Sequence, residues 1–335
     1  MEKKLFLLDA YALIYRAHFA FINNPRINSK GLNTSAIFGF CNSLLEVINN
    51  HEPTHLGVVF DPPGGSNREE IFTEYKANRQ EMPEDIRKAI PYIFEILKAM
   101  NIQVEMVSGF EADDLIGTLS KQAEKKGYKV FMMTPDKDFG QLVSENIFIY
   151  KPGRSGNPSE ILGPKEVCEK FEVERPEQVI DILGLWGDAV DNIPGIPGIG
   201  EKTAKKLIGI YGSIENLLAN TGDLKGKQKE NVENFADQGL ISKKLATIIL
   251  DCPVEFNESI YKRKEIDEKS LTVILKELEF NQVGKRILGK PIYQEKQMDL
   301  FATSENEPDP TTNLQDFSSI KPDYKLIQTR EEHLN

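Results

Sequence analysis

Acidic side chains stand in short clusters along the first 191 residues of the chain. GFEADDLIG carries three, and TPDKDFG and GDAVDNIPG carry two each. Like charges that converge resist joint ionisation, so a fold that gathers carboxylates needs cations between them. Two single acids earlier in the chain, Asp9 and Asp61, join the seven acids of these clusters, which are Glu111, Asp113, Asp114, Asp136, Asp138, Asp188 and Asp191.

The chemistry open to such a cluster is that of a hard divalent cation. Mg²⁺ prefers oxygen ligands and keeps several waters, so carboxylates can bind it directly or through water. Two such ions about 4 Å apart can activate water and stabilise a leaving oxygen in phosphodiester hydrolysis. The chain has only four histidines, which disfavours zinc hydrolase chemistry.

Each acidic cluster also has an ordinary structural explanation. Acids in the first turn of a helix favour its dipole, which would account for the GFEADD group alone. The TPDKD pair fits a solvated turn after a strand. The pair in GDAVDNIPG, three residues apart, fits one face of a helical turn or a capping role. Packing alone does not require all of these groups together.

The segment IPGIPGIGEKTAKKLIGIYG has the pattern of a helix–hairpin–helix that binds the DNA backbone. Its glycines let backbone N–H groups approach a phosphate, and the start of the following helix, Glu201–Ile210, favours the anion. The alternative is a structural Gly/Pro loop between helices. The candidate DNA-binding residues here are Gly195, Gly198, Gly200, Lys202, Lys205 and Lys206.

A second basic segment, EYKANRQ, supplies candidate catalytic residues. At helical spacing Lys76 and Arg79 share a face, where they could contact the scissile phosphate and its neighbours. Tyr75 could stack on a base, and Arg68 is a weaker phosphate candidate. The alternative is a solvated basic helix face.

Apolar runs lead directly into several of the acids. KLFLLD ends at Asp9, GVVFD ends at Asp61, and YKVFMM precedes TPDKD. Such runs are typical of strands in a parallel sheet that is buried on both faces. Because the carboxyl ends of parallel strands meet at one edge, we expect the acids to converge there.

Helical patterns separate these strands, at 34–49, 84–100 and 111–126, and a short strand, IQVEMV, precedes the last of them. The alternation predicts an α/β fold with a parallel sheet covered on both faces. From about Gly163 helical signals dominate to about Gln282. We therefore expect a catalytic core over 1–162 and a helical region over 163–291.

The last part of the chain has linker composition. Between Gln297 and Ile320 there is no Lys or Arg, while five acids fall in it. We expect a flexible acidic linker over 292–323. Residues 324–335 begin a strand-and-helix pattern and then stop, which is typical of a piece of a longer protein.

Composition limits the remaining function classes. The three cysteines, Cys41, Cys168 and Cys252, are widely spaced, which argues against disulfides and fits a reducing cytoplasm. No apolar run approaches the ~20 residues that span a membrane. The net charge of −11 points away from nucleic acid unless the acids are concentrated in a metal site and a tail. We expect a cytoplasmic protein without a membrane partner.

On these motifs the chain resembles the 5′-nuclease domain of bacterial DNA polymerase I, within the flap-endonuclease superfamily. The resemblance covers about Lys3 to Pro291. All nine acids fall on the family's metal-site pattern. YKANR matches its Lys/Arg motif at the base of an arch, and GDAVDNIPGIPGIGEKTA matches its helix-three-turn-helix.

The resemblance implies a PIN-like nuclease core with a helical arch at about 68–100. It also implies a monomeric, structure-specific 5′-3′ exonuclease and 5′-flap endonuclease that uses two or more divalent ions. Mg²⁺, with Mn²⁺ as a substitute, would serve the acids, and K⁺ could bind the hairpin. The implied substrates are nicked or branched duplex DNA and RNA primers, and the products carry a 5′-phosphate and a 3′-hydroxyl. The implied setting is primer removal and repair, beside polymerase and proofreading-like domains. Residues 324–335 resemble the truncated start of the proofreading-exonuclease-like domain.

Within the linker, QMDLF carries large apolar residues that gain nothing from exposure unless a partner buries them. It resembles the motif by which bacterial replication proteins bind the sliding clamp, with Gln297, Leu300 and Phe301 as its anchors. The alternative is packing against the nuclease body, or chance.

Two rival functions remain open at this point. A DNA-binding module with an inactive site would bind DNA without cleaving it, and the intact carboxylate set weighs against this. A Mg²⁺ phosphohydrolase acting on small molecules would use Asp136 and Asp138 as a nucleophile pair. That second rival leaves the glycine hairpin and YKANR unexplained.

Overall fold

The computed structural model describes residues 2–153 and 158–293, and its central feature is a six-stranded sheet. The strand order is β3-β2-β1-β4-β5-β6, with every pair parallel except β5 and β6. This confirms the predicted parallel sheet. The strands are β1 (Lys4–Asp9), β2 (His55–Val59), β3 (Gln103–Glu105), β4 (Lys129–Met133), β5 (Ile147–Lys151) and β6 (Glu160–Leu162).

Helices cover both faces of this sheet, because β1 and its neighbours present apolar side chains on each side. One hydrophobic core gathers around α5, and the other gathers around α1, α2 and α4. The three helices predicted in this part are confirmed to within two residues. The helices are α1 (Ala10–Ala20), α2 (Ser35–His51), α3 (Arg68–Ile71), α4 (Glu84–Ala99) and α5 (Ala112–Lys125).

The predicted arch at 68–100 differs from the structure. Residues 84–99 form α4, whose apolar side chains, such as Ile86, Ile93 and Leu97, are fully buried. Within this interval, only the short helix α3 and a run of turns come before α4. The interval is therefore not one free helical span, because half of it is amphipathic and packs on the core.

The second part of the described chain is helical, as predicted, but it does not have a separate core. Leu183, Ile208 and Leu245 belong to the same buried cluster as Leu5 and Val130 of the sheet. Residues 1–293 accordingly form one compact unit. The helices are α6 (Pro164–Phe171), α7 (Val179–Trp186), α8 (Glu201–Tyr211), α9 (Ile214–Ala219), α10 (Gly226–Asn234), α11 (Ala236–Ala246), α12 (Glu258–Tyr261), α13 (Glu268–Glu277) and α14 (Asn281–Leu288).

Some expectations lie outside the described residues. These are the anchors Gln297, Leu300 and Phe301, nearly all of the predicted linker, and the segment 324–335. Among the helices that are described, none combines the length and apolar composition needed to cross a membrane.

Candidate functional site

The carboxyl ends of three neighbouring strands deliver acids to one edge of the sheet. Asp9 is the last residue of β1, and its Oδ1 accepts from the amide of Ala12 at 3.1 Å, which caps α1. Asp61 follows β2, and its Oδ1 accepts from the amide of Ala112 at 2.9 Å. This second bond joins the end of β2 to the start of α5, so the strand order itself brings the acids together.

The electrostatics show that the acids form one continuous cluster. Burial, followed by the neighbouring charges of Asp61 and Asp136, raises the pKa of Asp9 to about 7. Burial likewise raises the pKa of Asp136, to which Asp191 and Asp188 contribute. Each of these groups therefore resists ionisation beside the others in the way that the sequence predicts.

The TPDKD turn places its two acids where the sequence predicts a turn. The amide of Asp138 donates to Asp136 Oδ1 at 3.0 Å, and a 3₁₀ helix begins at Asp138. Burial and then Asp136 raise the pKa of Asp138 well above its usual value. Its Oδ1 is buried and has no hydrogen-bond partner among the described residues. That oxygen is the clearest open ligand position in the cluster.

Asp114 was predicted as a metal ligand, and the structure corrects this. Its carboxylate accepts from Arg68 Nη1 at 2.8 Å and Nη2 at 2.7 Å, from the amide of Ile249 at 2.8 Å and from that of Glu111 at 3.2 Å. A carboxylate offers about four lone-pair sites, so none remains for an ion. The side chain is also only 1% exposed.

Arg68 and Tyr75 were predicted to contact DNA, and both are buried instead. Arg68 is held by Asp114, as just described, and is 3% exposed. Tyr75 is 4% exposed, and its hydroxyl donates to Glu111 Oε2 at 3.2 Å. Neither side chain can reach a phosphate or stack on a base from this position.

Lys76 and Arg79 reach the cluster, although not from a helix. The segment that carries them forms turns, and Lys76 has a left-handed backbone with φ +57°. Lys76 Nζ lies 2.5 Å from Glu111 Oε2, and Arg79 Nη2 donates to Asp191 Oδ1 at 2.5 Å. Burial would lower the pKa of Lys76, but Glu111 and Asp191 outweigh it and hold the pKa above its usual value.

Asp188 and Asp191 lie in a tight loop rather than on a helical turn. Asp188 and Ile193 exchange two backbone hydrogen bonds, of 2.9 and 2.8 Å, and Asn192 between them has φ +56°. The loop packs against the Lys76 segment, since the Lys76 amide donates to Asp191 O at 2.9 Å. The helical i,i+3 expectation was wrong, but both acids still face the cluster.

Two further residues act at the site without having been predicted from sequence. Lys137 Nζ lies 2.8 Å from Asp188 Oδ2 and 4.4 Å from the centre of the Trp186 ring. Thr134 Oγ1 donates to Asp9 Oδ2 at 3.2 Å and accepts from the amide of Asp136. Their positions inside TPDKD, directly after β4, were the available signal.

The glycine hairpin forms as predicted, but its glycines differ in role. Gly195 is buried with φ +62°, its amide donates to Ser242 Oγ at 3.0 Å, and a Cβ would lie 2.5 Å from the amide nitrogen of Gly187. It is therefore structural. Gly198 and Gly200 are exposed, and neither amide donates to another described residue.

The three lysines of α8 also differ in whether neighbouring residues of the protein already bind them. Lys205 Nζ pairs with Glu201 at 2.8 Å and donates to Lys170 O at 2.8 Å, so it is occupied within the protein. Lys202 and Lys206 are exposed and make no ion pair with another described residue. The surface open to a phosphate is the hairpin tip with these two lysines.

The segment His51–His55 reads HEPTH, which matches the letters of a zinc-binding H-E-x-x-H motif. The motif requires both histidines on one helix. Here α2 ends at His51 and β2 begins at His55. His55 Nδ1 lies 2.9 Å from Thr54 Oγ1, and its Nε2 lies 3.1 Å from the Tyr128 hydroxyl. The histidines therefore do not form a site.

The chemistry of the sheet-edge acids suits a hard divalent cation, because every donor is an oxygen and the buried Asp138 Oδ1 has no hydrogen-bond partner among the described residues. They are not preset around a single point: in the described part of the chain, no three Asp, Glu, His or Cys side chains already form a metal-holding group. Lys76, Arg79 and Lys137 neutralise part of the charge instead.

Two known family descriptions match consecutive parts of the chain. The description "5′-3′ exonuclease, N-terminal resolvase-like domain" matches residues 4–172, and "5′-3′ exonuclease, C-terminal SAM fold" matches residues 174–269. The chain belongs to the 5′-3′ exonuclease family. The resemblance drawn from sequence is thereby confirmed, and the family division falls about ten residues after the boundary predicted at 162.

Relatives with similar sequences fall into two groups. DNA polymerase I of Bacillus subtilis is 40% identical over 288 residues, which are 85% of this chain and 32% of the polymerase. The 5′-3′ exonuclease of Aquifex aeolicus is 38% identical over 303 residues, 89% of this chain and 100% of that protein. The chain thus spans about a third of the length of its polymerase relatives.

Solved structures share the fold at lower identity. The T5 5′-exonuclease with bound zinc ions matches with a TM-score of 0.62 and 20% identity, over 86% of this chain and 99% of that one. A variant of the T5 D15 flap endonuclease, in a pseudo-enzyme-product complex with DNA and metal ions, has a TM-score of 0.60 and 21% identity, over 86% and 98%. These likenesses establish the architecture.

Proposed function

We propose that the chain is a divalent-metal-dependent 5′-3′ exonuclease and 5′-flap endonuclease that hydrolyses phosphodiester bonds in DNA and in RNA primers. The observation that carries the proposal is the buried carboxylate cluster at the sheet edge. Inside it lies the Oδ1 of Asp138, which has no hydrogen-bond partner in the described part of the chain. The metal-bound and DNA-bound relatives described above support it.

We propose that Mg²⁺, or Mn²⁺ in its place, is held by the acids that remain once Asp114 is set aside. When bound, two or more such ions would supply activated water and charge neutralisation at the phosphate. The residues that would hold them are Asp9, Asp61, Glu111, Asp113, Asp136, Asp138, Asp188 and Asp191.

The chain's own cations would orient the substrate. Lys76 and Arg79 lie beside Glu111 and Asp191, where they could hold the scissile phosphate and stabilise charge that develops on it. Gly198 and Gly200 at the hairpin tip, with Lys202 and Lys206, would grip the duplex backbone without reading sequence. A 5′-phosphate and a 3′-hydroxyl would result.

The larger setting is also part of the proposal. We propose that the chain serves as the 5′-nuclease of a DNA polymerase I in primer removal and repair, because 32% of the Bacillus subtilis polymerase aligns with 85% of it. Binding of a sliding clamp through Gln297, Leu300 and Phe301 stays a prediction. It can be tested by titrating a bacterial clamp into the chain and into its Leu300→Ala, Phe301→Ala variant.

The test of activity uses a duplex with a labelled 5′ flap. The chain should release the flap in Mg²⁺ and stop when a chelator is added. Binding without cleavage would favour the DNA-binding module, and hydrolysis of small phosphate esters without flap release would favour the phosphohydrolase. This assay can be done on the present chain without polymerase domains, since residues 1–293 form one compact unit.

A further inference from the structure

The guanidinium of Arg68 lies in the protein interior between the first turn of α5 and the end of α11. Nη1 and Nη2 form a two-pronged contact with Asp114, at 2.8 and 2.7 Å. Nε donates to Leu245 O and Nη2 donates to Thr247 O, both at 3.0 Å. Four of the five guanidinium N–H groups are thus used. Nη1 also lies 3.5 Å from Glu111 Oε2.

This contact fixes the orientation of the α5 first turn. The carboxylate of Asp114 accepts four hydrogen bonds, one of them from the Glu111 amide and one from the amide of Ile249, which follows α11. Glu111 and Asp113 extend from the same turn into the acidic cluster. Any shift of Arg68 relative to α11 would therefore move these two acids.

The first two turns of α11 hold the glycine hairpin. Ser242 Oγ accepts from the amide of Gly195 at 3.0 Å, and Gln238 Nε2 donates to Gly195 O at 2.7 Å. A continuous set of hydrogen bonds thus runs from the hairpin through α11 to Arg68, and on through Asp114 to the acids of α5. Its members are mostly buried.

We propose that Arg68 is a positioning residue that sets the distance between the hairpin, where the duplex is gripped, and the carboxylates, where the strand is cut, with Asp114 as its anchor. The inference rests on the proposed function. A guanidinium is planar and its paired donors fit a carboxylate in one geometry, so this joint is stiffer than a lysine could make it. The cut should consequently fall at one fixed phosphodiester.

The test compares Arg68→Lys with the unaltered chain on an end-labelled 5′-flap duplex. Lysine keeps the charge but cannot bridge Asp114 and both carbonyls. Single-turnover cleavage should slow by about 10²-fold, as for a small misplacement of reacting groups. Cuts should also spread to neighbouring phosphodiesters, while duplex affinity measured without divalent ions stays unchanged.

Two further variants separate positioning from loss of stability. Lys243→Met removes another pair of α11, in which Lys243 Nζ lies 2.6 Å from Asp181 Oδ1. It should lower the melting temperature and leave a single cut position. Arg68→Met, Asp114→Leu replaces the buried pair with apolar side chains of similar volume, which restores packing. This double variant should fold and still scatter the cuts.

The inference is overturned if Arg68→Lys cuts at one position at the normal rate, or if the double variant regains both rate and position. It is also overturned if Arg68→Lys loses duplex affinity in proportion to rate, because that would make Arg68 a phosphate contact. If the unaltered chain does not cleave in Mg²⁺, the proposed function fails instead, and the two failures are distinguishable.

Discussion

The carboxylates at the sheet edge differ in how many hydrogen bonds the protein itself supplies to them. Within the described ranges, Asp114 accepts four hydrogen bonds and is complete, whereas one buried oxygen of Asp138 accepts none. A buried acceptor without a partner carries a desolvation cost that an ion or substrate can relieve. The residues that are chemically open at the site are therefore those that the fold leaves unsatisfied.

Asp136→Asn tests the metal assignment directly. Loss of one negative ligand should reduce cleavage in Mg²⁺ by about 10³-fold or more, on the scale of removing a key charge-stabilising group. Duplex affinity should be kept or should rise, because a charge that repels phosphate is gone. Asp251→Asn, an exposed acid outside the cluster, is the matched control. Parallel loss of binding and cleavage would refute the assignment.

Lys76→Ala tests whether this ammonium stabilises charge on the phosphate. A well-placed group of this kind is commonly worth ~3 kcal/mol, so single-turnover cleavage should slow by about 10²-fold with little change in affinity. Lys88→Ala removes an exposed lysine whose one ion-pair partner among the described residues is Glu84, and it should have no effect. A change in affinity alone would show that Lys76 merely grips the backbone.

Sequence predicts the acids better than it predicts their partners. Each acid is signalled locally by the end of a strand or the start of a helix. The Arg68–Asp114 contact joins residues 46 apart in the chain, and the Thr247 carbonyl is 179 residues from Arg68. Nothing in the local pattern around EYKANRQ shows that Tyr75 faces inward. Such pairings depend on tertiary packing, which periodicity does not specify.

At the scale of elements, the hairpin and α8 form one unit with a rigid base and an open tip. Gly195 is enclosed by the backbone of Trp186 and Gly187, so its lack of a side chain serves close packing. Gly200 caps α8 with ordinary backbone angles and open space around it. Only the tip is therefore available to a phosphate.

Gly200→Val should weaken binding to every duplex alike, because a side chain at the tip blocks the approach of a phosphate to the backbone. Since no atom of another described residue lies within 4 Å of a Cβ there, the fold should be kept. Gly209→Val, on the same helix and equally open, is the matched control. The affinity of each variant is measured on two unrelated duplex sequences. If Gly200→Val binds them as tightly as Gly209→Val does, the phosphate-binding role of the hairpin tip is rejected.

Across the whole molecule, one compact unit carries both the cluster and the hairpin. The sheet and the helical region share one buried core, although the sequence suggested two domains with a boundary at 162. The change from strand to helix signals marks a change of element type, which is not the same as a separation of cores. A shared core gives both parts a fixed geometry, as a cut at a defined place on DNA requires.

The acidic cluster should also determine how the stability of the folded state depends on pH and on divalent metal ions. The folded pKa of Asp9 is about 7 against a usual 3.8, and those of Asp61, Asp136 and Asp138 are raised as well. A raised acid pKa favours the folded state below pH 3.8, and this contribution is lost as pH rises through about 7. Ionised acids therefore oppose folding most at pH 8, where Mg²⁺ binding relieves the most repulsion.

We expect saturating Mg²⁺ to raise the melting temperature by on the order of 5 °C at pH 8 and by much less at pH 5. Asp138→Asn removes one of the repelling charges, so without metal it should melt higher than the unaltered chain at pH 8 and close to it at pH 5. The Mg²⁺ response of this variant should also be smaller. Thermal melts at both pH values, with Mg²⁺ or with a chelator, check all three effects. Equal Mg²⁺ shifts at pH 5 and pH 8 would show that the acids do not hold the ion.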